Sequence, residues 1–190
     1  MGCVPSKKAN KYKANVISFG ENDSAENVTQ GNNAKIKFHQ LQIQYGKKLA
    51  VAPDSIFNLR LYHFINEWMG TRYVWGGNSE DGIDCSAFVQ RLYHSVYDIN
   101  IPRTSIEQFY TKWVELYKNP KYLKEGDLVF FKTMKNYNAV THVGFYLHNG
   151  YFVNASSSKG VSLGSLNDNY WSIKYVAAGR LKRKYLENKN

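Results

Sequence analysis

Along this chain the spacing of apolar positions changes character twice. Residues 1 to about 50 show no period: Lys, Asn, Gln, Ser and Gly dominate, and Val16, Ile17 and Phe19 stand alone. So little apolar surface cannot offset the entropy of ordering, and 1–50 is predicted to be a flexible linker. Within it, the apolar alternation from Ile36 to Ile43 is the one piece able to dock as a strand or helix.

An ordered domain is expected over 51–186. Phe57, Leu61, Phe64, Ile65 and Trp68 recur at helical spacing, with Asp54 or Ser55 as cap and Gly70 as stop. A Gly-rich loop, Gly76 to Gly82, leads into a second helix from Ser86 to about Tyr97, striped by Phe88, Val89, Leu92, Tyr93 and Val96. Thr104-Ser105-Ile106-Glu107 reads as a capping box that opens a third. The period then falls to two, and 127–131, 141–147, 151–155 and 175–178 read as strands. Helices first and strands afterwards predict an α+β domain with a mostly antiparallel sheet.

The hairpin between the middle two strands has two possible registers. A two-residue turn at Asn149-Gly150 would set Phe145 against Asn154 and Val143 against Ser156, a poor buried face. A three-residue turn, His148-Asn149-Gly150 with Gly150 left-handed, pairs Leu147 with Tyr151, Phe145 with Val153 and Val143 with Ala155. That face is uniformly apolar, and a slip of one residue would ruin it. His142 and Asn154 then share the opposite face within diagonal reach, beside the small Gly144.

Candidate chemistry centres on Cys85, at the junction of the Gly-rich loop and the second helix. The free amides and dipole of a helix start stabilise an adjacent anion, so its thiol is expected to be shifted toward the thiolate. A nucleophilic cysteine needs a base and a group to orient that base. His39 lies in the linker, and His63 and His94 read as surface residues. His142 and His148 share one strand, six residues and roughly 20 Å apart at about 3.3 Å per residue. His148 abuts the turn, which leaves His142 as the base and Asn154 as its orienting partner. One cysteine with strand-borne histidines offers no four-ligand zinc set, so no metal or cofactor is implied.

Composition adds a surface property and little more. The 190 residues carry a formal net charge of +10, which favours polyanions such as lipid headgroups or anionic wall polymers. Aromatics are plentiful, but no RNA-recognition or zinc-knuckle pattern organises them, so no nucleic acid partner is expected. Gly2-Cys3 resembles the end of a bacterial lipoprotein signal, with Cys3 lipidated; Gly2 to Ser6 equally match an N-myristoylation signal.

Gly70-Thr71-Arg72-Tyr73-Val74-Trp75-Gly76-Gly77 and Gly82-Ile83-Asp84-Cys85-Ser86-Ala87-Phe88-Val89 resemble the nucleophile region of the NlpC family of papain-like cell-wall cysteine peptidases. Ile101 to Ser105, Lys124 to Phe131 and Thr141 to Tyr146 match its later motifs in order. The resemblance implies a papain-like α+β fold, with N-terminal helices packed on the sheet, and a monomer. It implies hydrolysis of peptidoglycan stem peptides, usually between γ-linked D-glutamate and a diamino acid. It assigns Cys85 as nucleophile and His142 as base. Tyr73, Asp84 and Ser86 become residues at the oxyanion or substrate. A third catalytic residue is frequently histidine there, where this chain has Asn154. The expected location is the bacterial cell envelope, lipid-anchored at Cys3 and facing the periplasm at the outer membrane. A non-catalytic wall-binding protein, and a Cys–His amidase or acyltransferase on another substrate, are the alternatives.

Overall fold

A computed structural model describes residues 25–137, 139–182 and 185, with side chains from residue 35 onward. The chain divides into two compact units, Met1–Phe64 and Ile65–Asn190. Gly2 and Cys3, and Arg183 and Lys184 of the basic tail, lie outside the described residues.

In the first unit, helix α1 (Ala25–Leu49) corrects the expected linker. Leu41, Tyr45 and Leu49 are buried at i, i+4 and i+8, one stripe of a largely polar helix on which Ile36 and Ile43 stay about half exposed. Mean hydropathy hides that stripe. The chain then reverses tightly: Ala50 takes the left-handed conformation with φ 53°, and the Val51 amide donates to the Gly46 carbonyl at 3.0 Å. A side chain at Gly46 would lie 3.0 Å from the Val51 oxygen and 3.2 Å from the Pro53 Cα. The Gln42 side-chain amide donates to the Ile56 carbonyl at 3.1 Å, and the Tyr45 and Tyr62 rings lie 5.0 Å apart. Helix α2 (Leu59–Trp68) starts later than expected: Asn58, not Asp54 or Ser55, accepts from the Leu61 amide. Phe57 therefore falls outside the helix and is 71% exposed.

In the second unit, strands β1 (Asn78–Ser79) and β2 (Gly82–Ile83) form a short hairpin that leads into α3 (Cys85–Leu92), which continues as a π-helical turn over Tyr93–Tyr97. Its five expected apolar positions are all buried. Helix α4 (Ser105–Tyr110) opens on the expected capping box, Thr104 with Glu107. Strands β3 (Val114–Tyr117), β4 (Leu128–Phe131), β5 (His142–Tyr146), β6 (Tyr151–Ser156), β7 (Gly160–Ser165) and β8 (Tyr175–Leu181) form an antiparallel sheet in the order β3-β8-β4-β5-β6-β7. Helix α5 (Asn169–Lys174) joins β7 to β8. Helix α3 packs on β5 and β6, with Tyr93 edge-on to Phe145 at 5.4 Å. On the other face Phe131, Phe152, Val129 and Tyr146 cluster with Trp171 and Tyr175.

The hairpin takes the three-residue turn. Phe145 pairs with Val153 and Tyr146 with Phe152, while the Tyr151 amide donates to the His148 carbonyl at 2.8 Å. Asn149 joins Gly150 in positive φ, at 50° and 82°. Gly144 has a specific purpose, since a Cβ there would stand 2.5 Å from the Phe152 ring.

The α1 stripe sets a stability test. Tyr45→Ala should cost about 3 kcal/mol in urea unfolding of the full chain, as emptied aromatic sites do. Ile43→Ala, on a half-exposed side chain, should stay within about 0.5 kcal/mol. Equal, small effects would show that α1 is not held by its buried stripe.

Candidate functional site

Asp84 organises the start of α3. It caps the helix by accepting from the Ala87 amide at 2.7 Å, and it accepts from the Ser86 hydroxyl at 2.9 Å. Arg103 closes on both its oxygens, at 2.9 and 2.7 Å, and donates as well to Ser86 and to the carbonyls of Gly76 and Gly77. Burial would raise the Asp84 carboxyl, but these donors hold it below its ordinary value. Gln108, fully buried, ties the Ser86 and Pro102 carbonyls together at 3.1 and 2.8 Å. The Gly-rich loop, the nucleophile turn and the segment before α4 are thereby one rigid piece.

Cys85 follows as the first residue of α3, only 6% exposed. Burial pushes its thiol up to about 11, against the backbone amides of Val143, Ser86 and Cys85 that hydrogen-bond the sulfur, and with the Asp84 charge adding to the rise. This reverses the expected shift toward thiolate: a helix start supplies partial charges, whereas burial removes the solvation of a whole one.

The amide on that sulfur belongs to Val143, the residue that follows His142 on β5. The Asn154 amide nitrogen donates to the Ser162 carbonyl at 3.3 Å, which turns its oxygen toward His142 Nε2 at 3.0 Å. Nε2 then carries the ring proton and donates, leaving Nδ1 as the basic atom. Burial pushes the imidazole down to about 4, despite the raising effects of Asn154 and of the Asp84 charge.

Trp171 of α5 completes this arrangement and has no counterpart in the sequence reading. Its indole stacks on the His142 ring at 5.2 Å and 27°, and packs on Phe131 and Phe152 at 4.8 and 5.1 Å. A lone tryptophan in a short helix remote in sequence carried no periodic signal. Arg103 was visible within a matched motif, but only the fold shows which carboxylate it meets.

Two adjoining hollows flank the pair. One, about 430 Å³, is lined by Cys85, Asp84, Ser86, Arg103 and Ile106 among others; the other, about 380 Å³, by His142, Asn154, Trp171, Lys159 and Asp168 among others. Tyr73, Trp75, Met134 and Thr141 line both and join them into a cleft. Burial pushes the Tyr73 phenol up to about 12, with the Cys85 and Asp84 charges adding and Arg103 opposing, so its hydroxyl stays a donor. Asp84 and Ser86 also line the cleft, but their polar atoms are engaged by Arg103 and by each other. His148 lies apart, paired with Glu125 at 3.0 Å.

Comparison with known proteins places the fold. A "Probable endopeptidase NlpC homolog" of Haemophilus influenzae is 43% identical over 116 residues, 61% of this chain and 58% of that protein. "Murein DD-endopeptidase MepS/Murein LD-carboxypeptidase" of Escherichia coli is 39% identical over 117 residues, 60% of this chain and 58% of that protein. The chain thus spans under two thirds of the length of these relatives. A crystal structure of an NlpC/P60 family protein from Bacillus cereus superposes with a TM-score of 0.56 at 29% identity, over 64% of this chain and 39% of that one. The family model for NlpC/P60 matches residues 70–180, the stretch that carries Tyr73, Cys85, His142, Asn154 and Trp171, and the chain belongs to the NlpC/P60 family.

Proposed function

We propose that this protein is a cysteine endopeptidase that hydrolyses peptidoglycan stem peptides, at the bond between γ-linked D-glutamate and a diamino acid. The observation that carries the reading is the Cys85, His142 and Asn154 constellation in an open cleft, with the base oriented by a 3.0 Å bond. Relatives named as endopeptidases, one of them of murein, support the substrate class. They also support a cell-envelope location, with lipid attachment at Cys3 as the proposed anchor; no helix among the described residues is long and apolar enough to cross a membrane.

Thiol and imidazole rest neutral, so the thiol proton passes to Nδ1 as sulfur attacks the carbonyl carbon. The amide at the start of α3 and the Tyr73 hydroxyl are the donors for the oxyanion. The imidazolium gives its proton to the departing amine, the C–N bond breaks, and a thioester remains. Water then adds to the thioester carbonyl with its proton taken by Nδ1, the C–S bond breaks, the imidazolium returns that proton to sulfur, and the acid is released as the thiol is regenerated.

Digestion of purified peptidoglycan with mass analysis of the released peptides tests this reading. Cys85→Ala should fold normally and lower release by more than about 10³-fold. Parental activity in that variant would sink the mechanism, and products cut only at D-alanyl cross-links would move the assigned bond.

The neutral pair has a pH signature. Because the imidazole is lowered from 6.5 to about 4, its basic form persists until pH falls through about 4, and kcat/KM should hold down to that region. Because the thiol is raised from 9.0 to about 11, alkylation by iodoacetamide should stay slow at pH 7 and climb toward pH 11. Rapid alkylation at pH 6 would reveal a resting thiolate–imidazolium pair instead.

Asn154→Ala should lower kcat by about 10- to 100-fold, while His142→Ala, which removes the acid–base group itself, should cost about 10²- to 10⁴-fold. Asn154→His, which restores a ring able to accept from His142, should keep part of the activity. An Asn154→Ala enzyme as active as the parent would remove that residue from the machinery.

A further inference from the structure

The acyl-transfer chemistry puts a full positive charge on His142 twice in each cycle, once when the thiol proton is taken and once when water adds. That cation forms on a buried ring, and little around it answers the charge. Asn154, its hydrogen-bond partner, is neutral. Asp84 is the carboxylate whose charge reaches the imidazole, yet the Arg103 guanidinium matches it at 2.7 Å. Lys159 and Asp168, of opposite sign, line the same hollow and oppose each other.

What does lie against the ring is the indole of Trp171, and it presents a face. The two planes are 27° from parallel with centroids 5.2 Å apart, inside the roughly 6 Å over which an aromatic face attracts a cation. Phe131 meets the imidazole at 6.0 Å and 52°, with less of its face turned to it. The indole is itself held from several sides, by Phe131 at 4.8 Å, by Phe152 nearly perpendicular at 5.1 Å and by Tyr170 at 5.0 Å. Tryptophan offers the strongest π face of any side chain. An aliphatic residue in its place would desolvate the ring equally without attracting the cation.

From this we infer that Trp171 acts through His142 as a positioning residue, its indole face fixing the plane of the ring and stabilising the imidazolium that forms in both halves of the reaction. The inference rests on the hydrolase reading above and adds to it a group that answers the transient charge. Because the resting ring is neutral, the stabilisation is felt in turnover and not in substrate binding.

Graded fluorination of the indole at position 171 tests it, since each fluorine weakens the face while changing its shape little. On an L-Ala-γ-D-Glu-diaminopimelate tripeptide, log kcat and log kcat/KM should fall in step with the number of fluorines at unchanged KM, reaching about tenfold for the tetrafluoro ring. Trp171→Leu, which keeps apolar cover, should lose about as much, and Trp171→Phe, a weaker face, should lose less. A rate indifferent to fluorine, a change confined to KM, or equal activity in Trp171→Leu and Trp171→Phe would overturn the inference and leave Trp171 a packing residue. A second measurement needs no substrate. Alkylation of Cys85 by iodoacetamide at pH 7, in which sulfur displaces iodide as its proton passes to His142, should slow with each fluorine, and that dependence should vanish in His142→Ala. No dependence, or one that persists without His142, would overturn the inference. A parental protein that cleaves no wall peptide would defeat the hydrolase reading alone, because the alkylation series still reports on the imidazolium.

Discussion

Asp84 accepts from four donors at once: the Ala87 amide, the Ser86 hydroxyl and both terminal nitrogens of Arg103. The same guanidinium reaches back to the carbonyls of Gly76 and Gly77, so loop, helix start and the segment before α4 share one anchor. The position of Cys85, immediately after that carboxylate, is a consequence of this anchoring. It also bears on how substrate is held, because a carboxylate with its lone pairs occupied and its charge matched is a poor partner for a substrate cation.

Cys85 and His142 show how burial competes with local dipoles. Three backbone amides on the sulfur and a helix start all favour the thiolate, yet desolvation wins and both groups rest uncharged. Trp171 is part of that outcome, since its indole covers one face of the imidazole. In the proposed mechanism charge separation is then deferred to the moment of attack, when the oxyanion donors are engaged.

Much of this was legible in the residues. The stripe of α3, the Thr104–Glu107 capping box and the register of the β5–β6 hairpin follow from periodicity and turn chemistry, and that register alone brings Asn154 to His142. Strand β7 was not legible, because Gly160-Val161-Ser162-Leu163-Gly164-Ser165 is held by pairing with β6 and by Phe152 lying over Gly164, not by its own propensity. Helix α1 was missed because three buried positions in a polar segment vanish from an average. The direction of the Cys85 shift was missed for a different reason: desolvation depends on what covers a residue, which no local motif states.

A thiol held neutral and covered has one further consequence. Oxidation to sulfenic acid and exchange into mixed disulfides both proceed through the accessible thiolate. Outside the cytoplasm, where no glutathione pool keeps thiols reduced, a permanently ionised and open cysteine would be lost to such chemistry. The burial that raises Cys85 thus doubles as chemical shelter for its sulfur.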